Sequence, residues 1–316
     1  CLLTLRSSSL LAPAPSPLAP IDFVFFALSV ADLREADRHF TLSPEDLALL
    51  NPNTRTCPIF RAKRDAELTK AVYRRVPVLI REAEEHRPEE NPWGVKFGTM
   101  FHMSNDSHLF RTRAQLEREG WVLRGNHFVP GIPGAQPTHA RYLPLYEAKM
   151  IHHFDHRWAT YGTAGDPAPH GEPDCRDVTL QEKQSPHFAP LPRYWVATQE
   201  VHTDSGTRVH RQNWEIGWRR ITNATNERTM VSSILPSTGF GDNVFLIRMI
   251  SEDRRPFWAT ANLSALALDY VVRQKLGGTN LLFYLVSQIP VVPCCAYDAI
   301  PSWIGSHHAE GPKSTA

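Results

Sequence analysis

A mixed α+β fold, in which helices accompany mostly antiparallel sheets, is predicted by three observations. Residues 61–76 carry Leu68, Val72 and Val76 at helical spacing, with Arg64, Lys70 and Arg74 elsewhere, which is the pattern of an amphipathic basic helix. Residues 120–129 place two short runs around Gly125-Asn126, the dipeptide of a tight hairpin turn. Residues 193–197, 229–235 and 243–250 read as strands, and 257–276 as the longest helix, closed by Gly277-Gly278, so both periodicities occur in one chain.

At 316 residues the chain has room for roughly two domains of about 150 residues each. Hydrophobic residues at 42% and charged residues at 21% permit a packed core and exclude wholesale disorder. Lys plus Arg number 34 against 33 Asp plus Glu, so any nucleic-acid affinity must come from clustered charge, not bulk basicity. The 26 prolines outnumber the 17 glycines, which favours loops and interrupted elements over long helices or repeat arrays. Five cysteines, Cys1, Cys57, Cys175, Cys294 and Cys295, form no C-x-x-C pair, so the reading is a reducing, cytoplasmic protein with neither a disulfide framework nor a zinc finger. Pro13, Pro15 and Pro17 break the only stretch that could be mistaken for a signal peptide. No apolar run reaches the roughly 20 residues of a membrane span; the nearest, 21–30, reads as a buried strand. The apolar opening at Cys1 reads as that of a fragment.

Along the chain, Ser43-Pro44-Glu45-Asp46 has the order of a helix start running to about Leu50. The acidic stretch 82–90 reads as a solvated helix end and loop, Arg111-Thr112-Arg113 as the start of a short polar helix, and 142–150 as a strand entering a buried region. A final apolar strand is expected over 281–292. Residues 162–192, rich in proline, glycine, charge and histidine, read as a linker or long loop. The expected organisation is a helix-rich DNA-contacting region over 1–161, that linker, a second domain over 193–298, and a disordered tail over 299–316.

Catalytic motifs are scarce. Gly239-Phe240-Gly241 is the one glycine-rich candidate for a nucleotide or S-adenosylmethionine site, but it lies between two expected strands and reads as a plain hairpin turn. There is no P-loop and no G-x-S-x-G nucleophile elbow. His152, His153, Asp155 and His156 are the densest ligand-like group, with His152 and His156 on one face if helical; with no third distant ligand to name, no metal is assigned. Glu147-Ala148-Lys149 resembles the E-x-K half of a nuclease site, which leaves a Mg2+-dependent endonuclease module as one alternative and a non-catalytic structural or interface module as another. Basic residues interleaved with aromatics and amides, including Arg219 with Arg220, suit a surface that grips a duplex.

Four segments carry a resemblance to a known family. They are Phe40-Thr41-Leu42-Ser43-Pro44-Glu45-Asp46 with 51–61 and 64–69; Tyr146-Glu147-Ala148-Lys149 with 150–157; Thr225-Asn226-Glu227-Arg228-Thr229; and 268–281 with Gln288-Ile289-Pro290. In this order they resemble stretches of large bacterial DNA methylases, the type IIG restriction-modification and DISARM-like phage-defence enzymes. The resemblance implies a target-recognition-domain-like C-terminal half within an adenine-specific, N6, S-adenosylmethionine-dependent methyltransferase. The cofactor and the catalytic motifs would belong to an N-terminal methyltransferase domain outside this chain, and the partner would be double-stranded DNA. No residue of this chain is assigned to catalysis or to the cofactor. Arg61, Arg64, Lys149, His153, Arg157, Arg273, Lys275 and Thr279 are the expected phosphate or base contacts, and Asn280 the expected adenine reader. Tyr146, Trp158 and Tyr270 are expected to pack or support.

Overall fold

The computed structural model describes residues 21–132, 140–162, 174–201, 214–249 and 254–297; expectations for the opening residues, for most of the linker and for the tail lie outside them. The fold is α+β, and all but one of the strand pairings are antiparallel among the described residues.

β1 (Ile21–Phe23) pairs with β2 (Phe40–Leu42). The expected strand over 21–30 stops at Phe23. Phe26 takes a positive φ of 58°, and the Asp32 carboxylate accepts the Leu28 and Ser29 N–H groups at 2.6 and 2.8 Å, which turns the chain. α1 (Pro44–Leu50) begins where expected, with a reciprocal capping box between Ser43 and Asp46. α2 (Lys63–Tyr73) buries Ala66, Thr69, Lys70 and Tyr73, whereas Leu68, expected on the apolar face, is exposed. The helix rests that stripe on Phe40, Leu42, Leu50, Phe60 and Val271, and this packing sets its rotation. Residues 81–90 form no helix end; the bridges Arg81↔Glu90 and Glu84↔Arg87 make a small ladder.

β3 (Val95–Gly98) is followed by α3 (Arg113–Arg118), capped by Thr112 and Gln115, and by the hairpin of β4 (Trp121–Arg124) and β5 (His127–Pro130). Gly125, at φ +60°, supplies the left-handed turn residue that the Gly-Asn pair predicts. Next come β6 (Tyr142–Tyr146), β7 (Ala159–Tyr161), β8 (Cys175–Asp177), α4 (Leu180–Gln184), β9 (Trp195–Ala197) and α5 (Thr198–Val201). β7 and β8 pair, so part of the expected linker is strand. The remaining strands are β10 (Trp214–Arg219), β11 (Ser232–Pro236), β12 (Gly239–Phe240) and β13 (Val244–Met249). One sheet runs β11-β10-β13-β3; the other runs β12-β6-β5-β4, with β9 also on β6. Both therefore join strands from either side of the expected linker.

Gly239-Phe240-Gly241 is not a hairpin turn. β11 and β13 occupy opposite edges of β10, so the chain between them leaves the sheet, and Gly239 and Phe240 pair in parallel with Leu145 and Tyr146. β13 is apolar over 244–247 because both its faces are covered there: Phe245 and Ile247 enter the core under the helices, while Val244 and Leu246 enter the core shared with Phe240 and Tyr146. At the sheet centre a methyl group on Gly217 would lie 2.5 Å from Leu235 Cδ1 and 3.1 Å from Val244 Cγ1. Gly217→Ala is expected to cost about 1–3 kcal/mol of stability by overpacking, measurable by urea denaturation.

The single helix expected over 257–276 is two, α6 (Arg255–Ser264) and α7 (Leu266–Lys275). Ala265 is extended (ψ 137°), and the Ser264 carbonyl, freed from the helical ladder, accepts from Arg228. The final run is not a strand either. It turns through α8 (Phe283–Val286), stacking Phe283 on Phe97 and Phe245, before bridging at Val78↔Pro290. No described helix is long and apolar enough to cross a membrane.

Candidate nucleic-acid interface

The site is built on α7. Asp269, only 3% exposed, would be costly to bury alone. Its Oδ1 accepts the Thr229 and Met230 N–H groups at 2.8 and 2.7 Å, its Oδ2 accepts Arg273 Nε at 2.9 Å, and Arg228 Nε lies 3.7 Å away. Arg273 continues to the carbonyls of Ala224 and Glu227 at 3.1 and 2.5 Å, fixing the loop 222–229 from beneath. Arg228 reaches the Ser264 carbonyl at 2.7 Å and lies 3.2 Å from His153 Nε2. The segments 146–157, 225–229 and 268–281 therefore meet here, and α2 joins them where Tyr270 donates to Asp65 at 2.6 Å.

The expected DNA-contacting residues divide into two groups. Arg61, Arg64, Lys149, Thr279 and Asn280 are exposed. Arg61 lies over the Phe26 ring at 4.7 Å, and Thr279 and Asn280 form a strip against Thr222 and Ile221. The rest are engaged internally. Arg157 donates to the carbonyls of Lys183, Ser185 and Phe188 at 2.9, 3.2 and 3.3 Å, Arg273 clamps the 222–229 loop, and His153 is 3.1 Å from the Ser264 carbonyl. The expectation that Lys275 meets a phosphate is corrected by its burial. Its Nζ donates to Leu50 O, Tyr73 Oη and Gln288 O at 2.8, 2.7 and 2.5 Å, and desolvation pushes its pKa well below the ordinary lysine range.

Two polar clefts open beside this hub and share Arg219, whose Nε and Nη2 donate to the Ile151 carbonyl. One, about 300 Å³, is lined by His152, Arg219, Asn226, Glu227 and Arg228, with Ile221 and Thr222 leading to Thr279 and Asn280. The other, about 490 Å³, is lined by Lys149, Trp158, Arg193, Arg219 and, on β8, Cys175 and Asp177. Burial, followed by nearby guanidinium groups, lowers the pKa of His152, His153 and His156, so near neutral pH the clefts' positive charge rests on Lys149, Arg193, Arg219 and Arg228. Burial also raises the Cys175 thiol, which keeps it protonated and poorly nucleophilic.

Sequence reasoning placed Lys149, and named Arg219 only as part of a basic pair. It missed Arg193 and Asn226, which enter different clefts through distant parts of the chain: Arg193, just before β9, meets β8 and Arg219 of β10, and Asn226 sits on the loop clamped by Arg273. His152 and His156 share no helix; a tight turn with a His152↔Asp155 bridge separates them. Among the described residues no three His, Cys, Asp or Glu side chains converge to hold a metal ion. Glu147 faces Arg193 at 3.9 Å. Tyr146 is core as expected, and Trp158 packs on the His152 ring, centroids 4.2 Å apart, while also bordering the larger cleft.

S-adenosylmethionine does not fit this chain's glycine pair. A Cβ on Gly239 would strike Val196 Cγ2 at 2.7 Å and one on Gly241 would strike Met103 Sδ at 2.9 Å, so the bare backbone is filled by the protein's own side chains. β12 also leads into another strand, not into a helix N-terminus. No family model and no curated protein matches the chain.

Proposed function

We propose that this chain reads double-stranded DNA as the target-recognition part of a bacterial adenine-specific methyltransferase of a restriction-modification or phage-defence system. In this reading it acts in the cytoplasm beside a methyltransferase domain, outside this chain, that carries S-adenosylmethionine. The carrying observation is the pair of polar clefts joined at Arg219, whose lining sets four cations, Lys149, Arg193, Arg219 and Arg228, against three acids, Asp174, Asp177 and Glu227. Lys149, Arg193 and Arg219 suit phosphates, and Asn226, on the loop clamped by Arg273, and Asn280, bridged to Ile221, suit base edges. The nuclease alternative needs Glu147 to act with a second acid, whereas Glu147 faces Arg193 at 3.9 Å and belongs to no group of three or more His, Cys, Asp or Glu side chains among the described residues.

Anisotropy of a labelled duplex, titrated with protein over a series of salt concentrations, tests the reading. Affinity is expected to fall linearly on a log–log plot. Lys149 is exposed and makes no ion pair among the described residues, so Lys149→Ala is expected to leave folding intact and reduce the slope by about one unit. Absence of duplex binding, or affinity independent of salt, would overturn the assignment.

A further inference from the structure

The turn between the two clefts presents an aromatic ring to solvent at a cost in backbone strain. Phe154 is 67% exposed and sits at φ 61°, a region that a bulky L-residue rarely enters and that glycine or asparagine occupies readily. The turn that carries the ring is held firmly. His152 N–H donates to Asp155 O at 2.7 Å, Asp155 N–H returns to His152 O at 3.0 Å, and Phe154 N–H reaches Ser232 O at 3.2 Å. The Asp155 carboxylate accepts Arg157 N–H at 2.7 Å and Lys183 Nζ at 2.6 Å. The His153 ring meets Phe154 edge-on, centroids 4.4 Å apart, and is itself held at the Ser264 carbonyl. On one side His152 lines the smaller cleft; on the other Trp158 lines the larger.

We propose that Phe154 is a wedge that enters the base stack of a duplex whose phosphates are held by the flanking clefts, an inference that rests on the DNA-reading assignment. An apolar side chain inserted at a base step unstacks it, and the unstacking is offset by contacts with phosphates on either side. A rigid mount matters because a wedge already ordered loses no further freedom on insertion. Backbone strain retained at an exposed position is the expected mark of a residue kept for what it touches. A duplex that already lacks one base offers the ring a vacant stacking place, and so isolates its contribution from that of the phosphates.

The test compares the 316-residue chain on two labelled duplexes, one intact and one with a single abasic site. Wild type is expected to bind the abasic duplex about tenfold more tightly, the range of one base–aromatic stack. Phe154→Ala should abolish that preference while leaving the salt slope unchanged, because the ring meets no phosphate. Phe154→Trp should retain the preference. Phe154→Gly should lose it while raising the melting temperature, because glycine relieves the strain, which separates loss of the ring from loss of the fold. A preference that survives in Phe154→Ala, or none in wild type that still binds duplex with salt dependence, overturns the wedge alone; the surviving function of the ring would then be contact with another protein surface. Failure of wild type to bind either duplex overturns the wedge and the DNA-reading assignment together.

Discussion

Changing Asp269 to alanine is expected to remove about 3–5 kcal/mol of folding stability, the usual penalty for stripping one partner from a buried charged network. Against the roughly 5–15 kcal/mol that holds a typical domain together, this leaves much of the population unfolded near 37 °C. Asp269 is the only described carboxylate that accepts from both Thr229 and Met230, and the only one beside both Arg228 and Arg273. Its removal leaves two buried N–H groups without acceptors and two guanidinium groups without a counter-charge. Asp269→Asn keeps an oxygen for the backbone pair but loses the charge and puts an amide NH2 where Oδ2 accepted Arg273 Nε, so it is expected to cost less than alanine but still about 2–3 kcal/mol. Urea denaturation of the two variants checks this, and an Asp269→Ala protein within about 1 kcal/mol of wild type would refute the hub. Hydrogen exchange should also show the 222–229 loop opening in Asp269→Asn before the sheet does, since Arg273 no longer has an anion to brace it against the Ala224 and Glu227 carbonyls.

The legible parts of this fold are those decided by neighbours in sequence. The Ser43 and Thr112 caps and the Gly125 turn involve groups within a few residues of one another, and local chemistry suffices. β13 is legible as a strand because covering both faces makes residues 244–247 a continuous apolar run. Where a distant group intervened, the local signal misled. The break between α6 and α7 follows from a carbonyl taken by Arg228, thirty-six residues away. The rotation of α2 follows from α1 and α7, which favour Ala66 and Tyr73 over Leu68 on the buried stripe. The same logic governs the site. Cations in short sequence clusters were easy to find, but which of them face solvent depends on acceptors elsewhere: Arg157 is consumed by the 183–188 carbonyls, whereas Lys149, eight residues earlier, is left at the cleft.

Lys275 shows how far the environment can change a residue's chemistry, and its replacement by methionine should have an effect that grows with pH. In the folded chain desolvation holds its pKa well below the ordinary value of 10.5, while the unfolded chain keeps that value. Between the two pKa values the unfolded state binds one more proton than the folded state, so wild-type stability rises with pH by about 1.4 kcal/mol per unit and is lost as pH falls toward the folded-state pKa. A free amine keeps N–H groups on the Leu50 and Gln288 carbonyls, while the Tyr73 hydroxyl, which donates to the Gln288 carbonyl at 2.7 Å, would have to turn from it to meet the lone pair. Methionine matches the volume but takes the Lys275 donor from the Leu50 carbonyl, while the Gln288 carbonyl keeps the Tyr73 hydroxyl, at a cost of about 1–3 kcal/mol near pH 9. That cost should shrink toward neutral pH, where the wild type must surrender a proton to fold and the variant need not. The comparison belongs below pH 10. Above it the buried Tyr73 hydroxyl, its pKa pushed well up by desolvation, resists the ionisation that the unfolded chain undergoes, and wild-type stability falls again. Urea midpoints of both proteins from pH 7 to about 9.5 decide the matter: a constant difference would mean that the three oxygens hold Lys275 as an ammonium ion throughout. In either case Lys275→Met should leave the salt slope of duplex binding unchanged, because a fully enclosed Nζ releases no counterion from DNA.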